Sequence, residues 1–248
     1  MNFFKRIFKS EPKLEPLDLS VLKTDLHSHL IPGIDDGSKS LEESIALLKR
    51  FQELGYSKVI TTPHVMSDFY RNTPEIILSG LAEVKSAIEK EGLEIEIEAA
   101  AEYYLDDYFE DLIAKNNLLT FGDNYILFEL SFQNPPTRIK EVIFNLITGG
   151  YKPILAHVER YPFYFNEWDT LEDLRNRGTN FQLNINSLSG QYGPQVKKMG
   201  QDLINRNWIE VIGSDCHHMR HLDSINELRT NAHLHKISKK TELLNKFI

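Results

Sequence analysis

Thr24-Asp25-Leu26-His27-Ser28-His29 closes an apolar run that begins at Leu19 and sets two histidines two residues apart. In a strand, side chains at i and i+2 point to the same face. Two imidazoles aimed into one space are a poor packing unit, because each has a polar edge that must be satisfied when buried. They do suit a divalent metal, for which neutral imidazole is a common ligand. Residues 19–27 therefore read as a first strand that ends in ligands.

Outward from that stretch, strand-like runs recur at 58–62, 96–101, 125–130, 153–157, 180–185 and 209–214. Helical patterns lie between them at 40–54, 74–91, 104–116, 137–149, 170–177 and 195–207, with a last one at 223–235. Ser40 with Glu43 forms a capping box, and Gly55 stands where a helix would end. Seven strands alternating with helices predict an α/β fold with a parallel sheet. In 248 residues without a linker or repeat, a closed or nearly closed (β/α) barrel fits best. A doubly wound open sheet is the alternative. Residues 1–19 read as an N-terminal tail and 20–248 as a single catalytic domain.

In such barrels the chemistry sits at the C-terminal ends of the strands. His27 and His29 end the first strand, His64 the second, Glu102 the third, His157 the fifth, and Asp215 with His217 the seventh. Five of nine histidines thus fall at strand ends. The other four, His218, His221, His233 and His235, read as solvent-facing. Glu102 shares the parity of Glu94, Glu96 and Glu98, so a bulge or a late strand start is needed to turn it inward. The loop from Pro32 to Gly37, with Asp35 and Asp36, reads either as a turn or as the source of a carboxylate ligand. Five imidazoles and two or three carboxylates exceed the needs of one tetrahedral ion and point to two or three divalent metals. Mixed N/O ligation without thiolate admits manganese, iron, zinc or magnesium.

The net charge of −8 disfavours broad nucleic-acid binding. A single cysteine, Cys216, excludes an intramolecular disulfide framework and fits a reducing, cytoplasmic compartment. Cys216 alternates out of phase with Asp215 and His217, so it should face away from the ligands. Position 222, where a cysteine phosphatase would carry arginine, is leucine. No apolar run is long enough to span a bilayer. Residues 1–9 mix aromatics and cations, leaving a weak membrane-surface contact at the inner face as one reading of that segment.

His27-Ser28-His29, Asp36, His64, Glu102, His157 and Asp215-Cys216-His217 match in order the motifs of the PHP (polymerase and histidinol phosphatase) superfamily. The longer strings, from Asp25 to Gly37 and Thr61-Thr62-Pro63-His64, resemble the metal-dependent protein-tyrosine phosphatases of bacterial capsule and exopolysaccharide operons. His157-Val158-Glu159-Arg160 resembles a His-Pro-Glu-Arg signature of that family, with valine in place of proline. The resemblance implies a distorted seven-stranded, TIM-type (β/α) barrel. It implies hydrolysis of phosphotyrosine by metal-activated hydroxide, typically with manganese, on the tail of a bacterial tyrosine kinase. It allots His27, His29, Glu102 and Asp215 to one ion. Glu102 bridges to a second with His157, while Asp36, His64 and His217 hold a third.

Arg160 matches a phosphate-contacting arginine of the family. A further family arginine falls at Leu222, and Arg220 is the candidate replacement, with Arg138 as a weaker one. Gln182, Asn184 and Asn186 lie on one face of the sixth strand and read as binding substrate or steadying ligands. Phe69, Tyr70 and Arg71 are candidates to flank an aromatic substrate. The rival functions are a small-molecule phosphomonoesterase such as a histidinol-phosphate phosphatase, a 3′–5′ exonuclease, and a non-catalytic metal-stabilised scaffold.

Overall fold

A computed structural model describes residues 14–248. The proposed membrane contact of residues 1–9 lies outside the described residues. The strands are β1 (Thr24–Asp25), β2 (Lys58–Thr61), β3 (His64–Val65), β4 (Glu96–Ala99), β5 (Glu102–Tyr104), β6 (Tyr125–Glu129), β7 (Lys152–Leu155), β8 (Asn180–Asn184) and β9 (Val211–Gly213). The helices are α1 (Leu41–Leu54), α2 (Pro74–Glu91), α3 (Asp107–Ala114), α4 (Ile139–Thr148), α5 (Trp168–Asn176), α6 (Pro194–Asn205), α7 (Met219–Leu228) and α8 (Ala232–Ser238).

Every named strand pair is parallel, in the orders β1-β2-β4 and β3-β5-β6-β7-β8-β9. The two sheets are joined because β3 continues β2 after Thr62-Pro63, and β5 continues β4 after Ala100-Ala101. Both strands break at one level, and the register Thr61↔Ala99 resumes as His64↔Glu102 without a slip. The result is a curled parallel sheet. At its free edges, Asp215 N–H donates to His27 O at 2.8 Å and His29 N–H to Cys216 O at 2.9 Å.

Two apolar layers follow from the alternation. Inside the curl, Leu26, Ile60, Ala100, Leu127, Ile154, Ala156 and Val211 form a small plug, with Leu244 and Ile248 packed against it. Outside, a larger core joins strands to helices through residues such as Phe51, Val84, Phe128, Val142, Phe181 and Leu203. Polar strand-end residues stand above the inner plug.

The first strand is shorter than the sequence predicts. Residues 19–22 form a 3-10 turn, with the Asp18 carboxylate accepting Ser20 N–H at 3.0 Å. Such a turn puts i and i+3 on one face, and Leu19 and Leu22 are both fully buried. Leu17, in the expected tail, donates its N–H to Arg229 O at 2.7 Å. Helix α1 starts at Ser40, whose hydroxyl accepts Glu43 N–H, and ends at Gly55 in the left-handed region, φ 104°. The single helix expected over 223–235 is two helices. Asn231 divides them, its side chain accepting the N–H groups of His233 and Leu234 as an N-cap. Among the described residues, no helix is long and apolar enough to cross a membrane.

Candidate metal centre

The paired breaks in the second and third strand positions decide what faces the site. Glu96 and Glu98 on β4 are exposed, as their parity requires, whereas Glu102, after the Ala100-Ala101 break, is fully buried. No bulge is present, because both strands break together and keep their register; Glu102 instead opens a new strand, β5, and this late start turns the carboxylate inward. His64, its partner in register, turns with it. His157 and Asp215 follow β7 and β9 with φ of 32° and 49°. Such values are uncommon outside glycine but more accessible to His and Asp than to most residues. Each re-aims a polar side chain at the end of a strand.

His27 and His29 point into one space, with their Nε2 atoms 3.3 Å apart. Glu102 Oε2 lies 3.1 Å from His27 Nε2 and 3.5 Å from His29 Nε2. Asp215 Oδ1 lies 3.4 Å and 3.6 Å from the same two nitrogens. Ligands about 2.1 Å from a tetrahedral ion stand about 3.4 Å from one another, so His27, His29 and Asp215 have the spacing of a coordination shell, with Glu102 grouped instead with His64 and Glu129. Beside them, His64 Nδ1 is 3.2 Å from Glu102 Oε2 and 3.1 Å from Glu129 Oε1, yet it is buried with no hydrogen-bond partner. His157 Nε2 reaches Glu102 Oε1 at 3.2 Å. On the outer side, Asp36 Oδ1 lies 3.5 Å from His64 Nε2 and 3.4 Å from His217 Nε2. All eight expected ligand residues therefore meet in one place.

The supporting contacts fix which nitrogen of each ring faces inward. The loop 32–37 folds back tightly: a Cβ on Gly37 would stand 2.4 Å from His29 Cβ, so only glycine fits. This brings Asp35 Oδ2 to 2.8 Å from His29 Nδ1, while the same oxygen accepts His64 N–H at 3.1 Å. Gln182 Oε1 accepts His157 N–H at 2.7 Å and lies 3.2 Å from His27 Nδ1. With Nδ1 carrying the proton, Nε2 of both histidines keeps its lone pair for an ion. Asn184 Nδ2 donates to Asp215 Oδ2 at 2.9 Å, and Asn186 Nδ2 to Ser214 O at 3.3 Å. These buried amides hold the strand-end residues in place. Asp25 braces the β9 end by accepting both the N–H and the hydroxyl of Ser214.

The electrostatics express the crowding. Burial disfavours charge on Glu102 and Asp215, but His27 and the neighbouring imidazoles hold both carboxyls well below their ordinary range. Burial also opposes a charged His29, yet Asp35 leads the groups that push it well above an ordinary imidazole. His64 rises to about 9, burial and His29 being outweighed by Glu102 and Glu129. Protons here occupy positions that divalent ions can take. Asp36, Glu102, Glu129 and Asp215 line one cavity together with Arg160.

A cavity of about 630 Å³ opens over the cluster. Arg160 lines it, donating Nη1 to Asp215 Oδ2 at 2.8 Å, with the Phe132 and Tyr192 rings packed against it. Phe69 and Tyr70 form the opposite rim, and Tyr70 stacks on the His64 ring at 5.6 Å. Arg71 does not line the cavity. Arg220 is exposed on the first turn of α7 and stands outside the lining. Arg138 pairs with Glu110 and Glu141 away from it. Leu222 is fully buried in the core. Cys216 is buried with its sulfur toward His218 O at 3.8 Å, outside the cavity lining.

The expectation for two of the histidines needs correction. His218 and His221 are not simply solvent-facing: both line the cavity, and His221 Nδ1 accepts His217 N–H at 3.3 Å. The α7 turn that follows His217 folds them back over the site. Glu129 and Asp35 were not assigned from sequence. Glu129 ends the apolar run of β6, and a carboxylate closing a buried strand is a signal in itself, because burial demands a partner.

Residues 23–241 match the family described as capsular polysaccharide synthesis, CpsB/CapC. The chain belongs to that family. It is 28% identical to the tyrosine-protein phosphatase YwqE of Bacillus subtilis (strain 168) over 79% of this chain and 78% of that one. It is 29% identical to the tyrosine-protein phosphatase CpsB of Streptococcus pneumoniae over 79% of this chain and 83% of that one. A solved structure from the pair YwqE and CpsB, described as unique metal-dependent tyrosine phosphatases, superposes with a TM-score of 0.77. That match has 26% identity and covers 90% of each chain. The strand-end cluster thus lies within the matched span of this CpsB/CapC chain.

Proposed function

We propose that this CpsB/CapC chain is a metal-dependent protein-tyrosine phosphatase. The observation that carries the proposal is the cluster in which His27, His29 and Asp215 lie within reach of one ion and Glu102 stands 3.1 Å from His27, at the base of a cavity walled by Arg160 and aromatic rings. The named relatives supply the substrate class.

His27, His29, Glu102 and Asp215 would hold one divalent ion. Glu102, Glu129 and His157 would hold a second, and Asp36, His64 and His217 a third. His64 faces both outer groups, Nδ1 toward Glu129 and Nε2 toward Asp36, so it is the residue whose allocation decides between two ions and three. Bound divalent ions supply an activated water at neutral pH and neutralise phosphoryl charge. We favour manganese, since hard carboxylates and imidazoles without thiolate suit it.

The chain's own groups do the rest. Arg160, held on one edge by Asp215, lines the cavity and would bind phosphoryl oxygens as charge spreads over them. The rings of Phe69, Tyr70 and Phe132 offer apolar contact to a phenyl group. A phenol has a pKa near 10, so it departs with less protonation than an alcohol requires. The cavity walls present Cys216 no route to phosphorus, and catalysis proceeds without a thiol nucleophile.

The finer readings extend the same account. The seam from His27–His29 to Asp215–Cys216 supports a distorted seven-stranded barrel, with the two broken strands counted once each. The substrate is a tyrosine-phosphorylated protein, with a bacterial tyrosine kinase of polysaccharide synthesis as the partner. The lone buried thiol fits a cytoplasmic setting. The test is phosphate release from a phosphotyrosine peptide and from histidinol phosphate by the manganese-loaded chain. The expected result is a large preference for phosphotyrosine; preference for histidinol phosphate would assign the chain to the small-molecule phosphatases.

A further inference from the structure

Arg160 divides two cavities. Its guanidinium carbon lies 4.8 Å from the Phe132 ring centre and 4.4 Å from the Tyr192 ring centre, so it packs against both rings. Behind this partition lies a second cavity of about 550 Å³ that shares Phe132, Arg160 and Tyr192 with the first. Its remaining walls include Pro162 and Phe165, from the turn after β7, and Val196 on α6. Arg160 is the one charged residue in that lining, and its charge is already directed at Asp215. The cavity therefore suits an apolar group better than a second phosphate.

We propose that this second cavity receives an apolar or aromatic side chain that neighbours the phosphotyrosine in a peptide substrate. The proposal rests on the phosphatase reading and adds a specificity subsite to it. A phosphotyrosine whose phosphate contacts Arg160 from the metal side leaves its main chain at the rim formed by Phe132 and Tyr192. The next pocket along that rim is the one behind Arg160. Gly193 provides α6 with no side-chain cap, Pro194 has no N–H and Lys197 N–H already bonds Gly193 O, which leaves the Gln195 and Val196 N–H groups as the donors for a main-chain carbonyl of the same peptide. The occupant is thus part of the substrate, and the partition residues report it to the reacting end.

The experiment uses the full chain loaded with manganese. Phosphotyrosine peptides of one length carry alanine throughout, or phenylalanine at one position in turn on either side of the phosphotyrosine. Phenylalanine at one position should raise kcat/KM about tenfold over alanine, the scale expected for filling an apolar pocket. Peptides with a non-hydrolysable phosphonate should show the same order of Kd values. Gln195→Trp, on an exposed cavity-lining residue, plugs the pocket without touching the core. Phe165→Ala removes a wall. Both should reduce the preference to about twofold or less while turnover of p-nitrophenyl phosphate stays unchanged. No preference in the unmodified chain, or a preference that survives in either folded variant, would overturn the subsite alone. Failure to hydrolyse both peptide and p-nitrophenyl phosphate would overturn the phosphatase reading and the subsite with it.

Discussion

Arg160 and Asp215 form an ion pair that leaves the carboxylate bifunctional: Nη1 takes Oδ2 at 2.8 Å, and Oδ1 faces His27 Nε2 at 3.4 Å. The arginine is thereby anchored to a metal-facing residue without occupying its metal-facing oxygen. Asn184 donates to the same Oδ2 at 2.9 Å, a second restraint on the carboxylate.

Arg160→Ala should lower kcat on phosphotyrosine peptide about a hundredfold, the scale of losing one oriented donor to a developing charge. Manganese content should stay normal, because Asn184 still holds Asp215. Steady-state kinetics beside elemental analysis separate the two effects. Unchanged kinetics would remove Arg160 from the site, and lost metal would make it a support for Asp215.

Asp35 acts on metal affinity through His29. In the metal-free chain it keeps His29 protonated well above the usual imidazole range, and His64 stays protonated to about pH 9. Protons therefore compete with manganese, and affinity should rise with pH through neutrality. Asp35→Asn should flatten that rise, since His29 gives up its proton more readily. At pH 9 the variant should bind about tenfold more weakly, having lost the carboxylate that orients the ring. Calorimetric titration with manganese across pH checks both parts; parallel curves would contradict them.

How much of this was legible in sequence depends on the backbone around each residue. His27, His29, His64, His157, Asp215 and His217 announce themselves because strand ends are fixed by apolar runs, and parity then sets their facing. Glu102 was legible only as a contradiction of parity, which the Ala100-Ala101 break resolves. Glu129 was hidden by its run, where Tyr125 to Leu130 reads as an ordinary buried strand. The role of Asp35 depends on a loop folded against His29 at Gly37, and no periodicity reports such a fold. His221 returns to the cavity because α7 begins at Met219, earlier than its apolar pattern suggests. The 3-10 turn at 19–22 shows the converse, since a short apolar run is compatible with more than one buried backbone.

Glu159 sets a pH-dependent term in stability. It is fully buried, with Oε1 accepting Asn184 N–H and the Ser187 hydroxyl, and Oε2 unpartnered. Burial pushes its carboxyl up from 4.5 to about 7. The folded value exceeds the unfolded one, so its contribution is fully present below about pH 4.5 and is lost as pH rises through 7. The amount is on the order of 3 kcal/mol. Glu159→Gln keeps the shape and removes the titration. Denaturant unfolding of metal-free protein at pH 5 and pH 8 should show a smaller loss in the variant than in the unmodified chain. Equal losses would contradict the assignment.

The central claim is that the strand-end cluster, and not the lone thiol, performs phosphate ester hydrolysis. Its most direct measurement is phosphate release from a phosphotyrosine peptide after metal stripping and manganese reloading, with bound metal counted in the same samples. The unmodified chain and Cys216→Ser should both regain activity, within about threefold of each other, since a hydroxyl in that buried position affects stability rather than chemistry. His27→Ala combined with His29→Ala should bind fewer ions and release no phosphate above background. Activity that survives the double substitution, or that disappears in a folded, metal-loaded Cys216→Ser protein, would contradict the account.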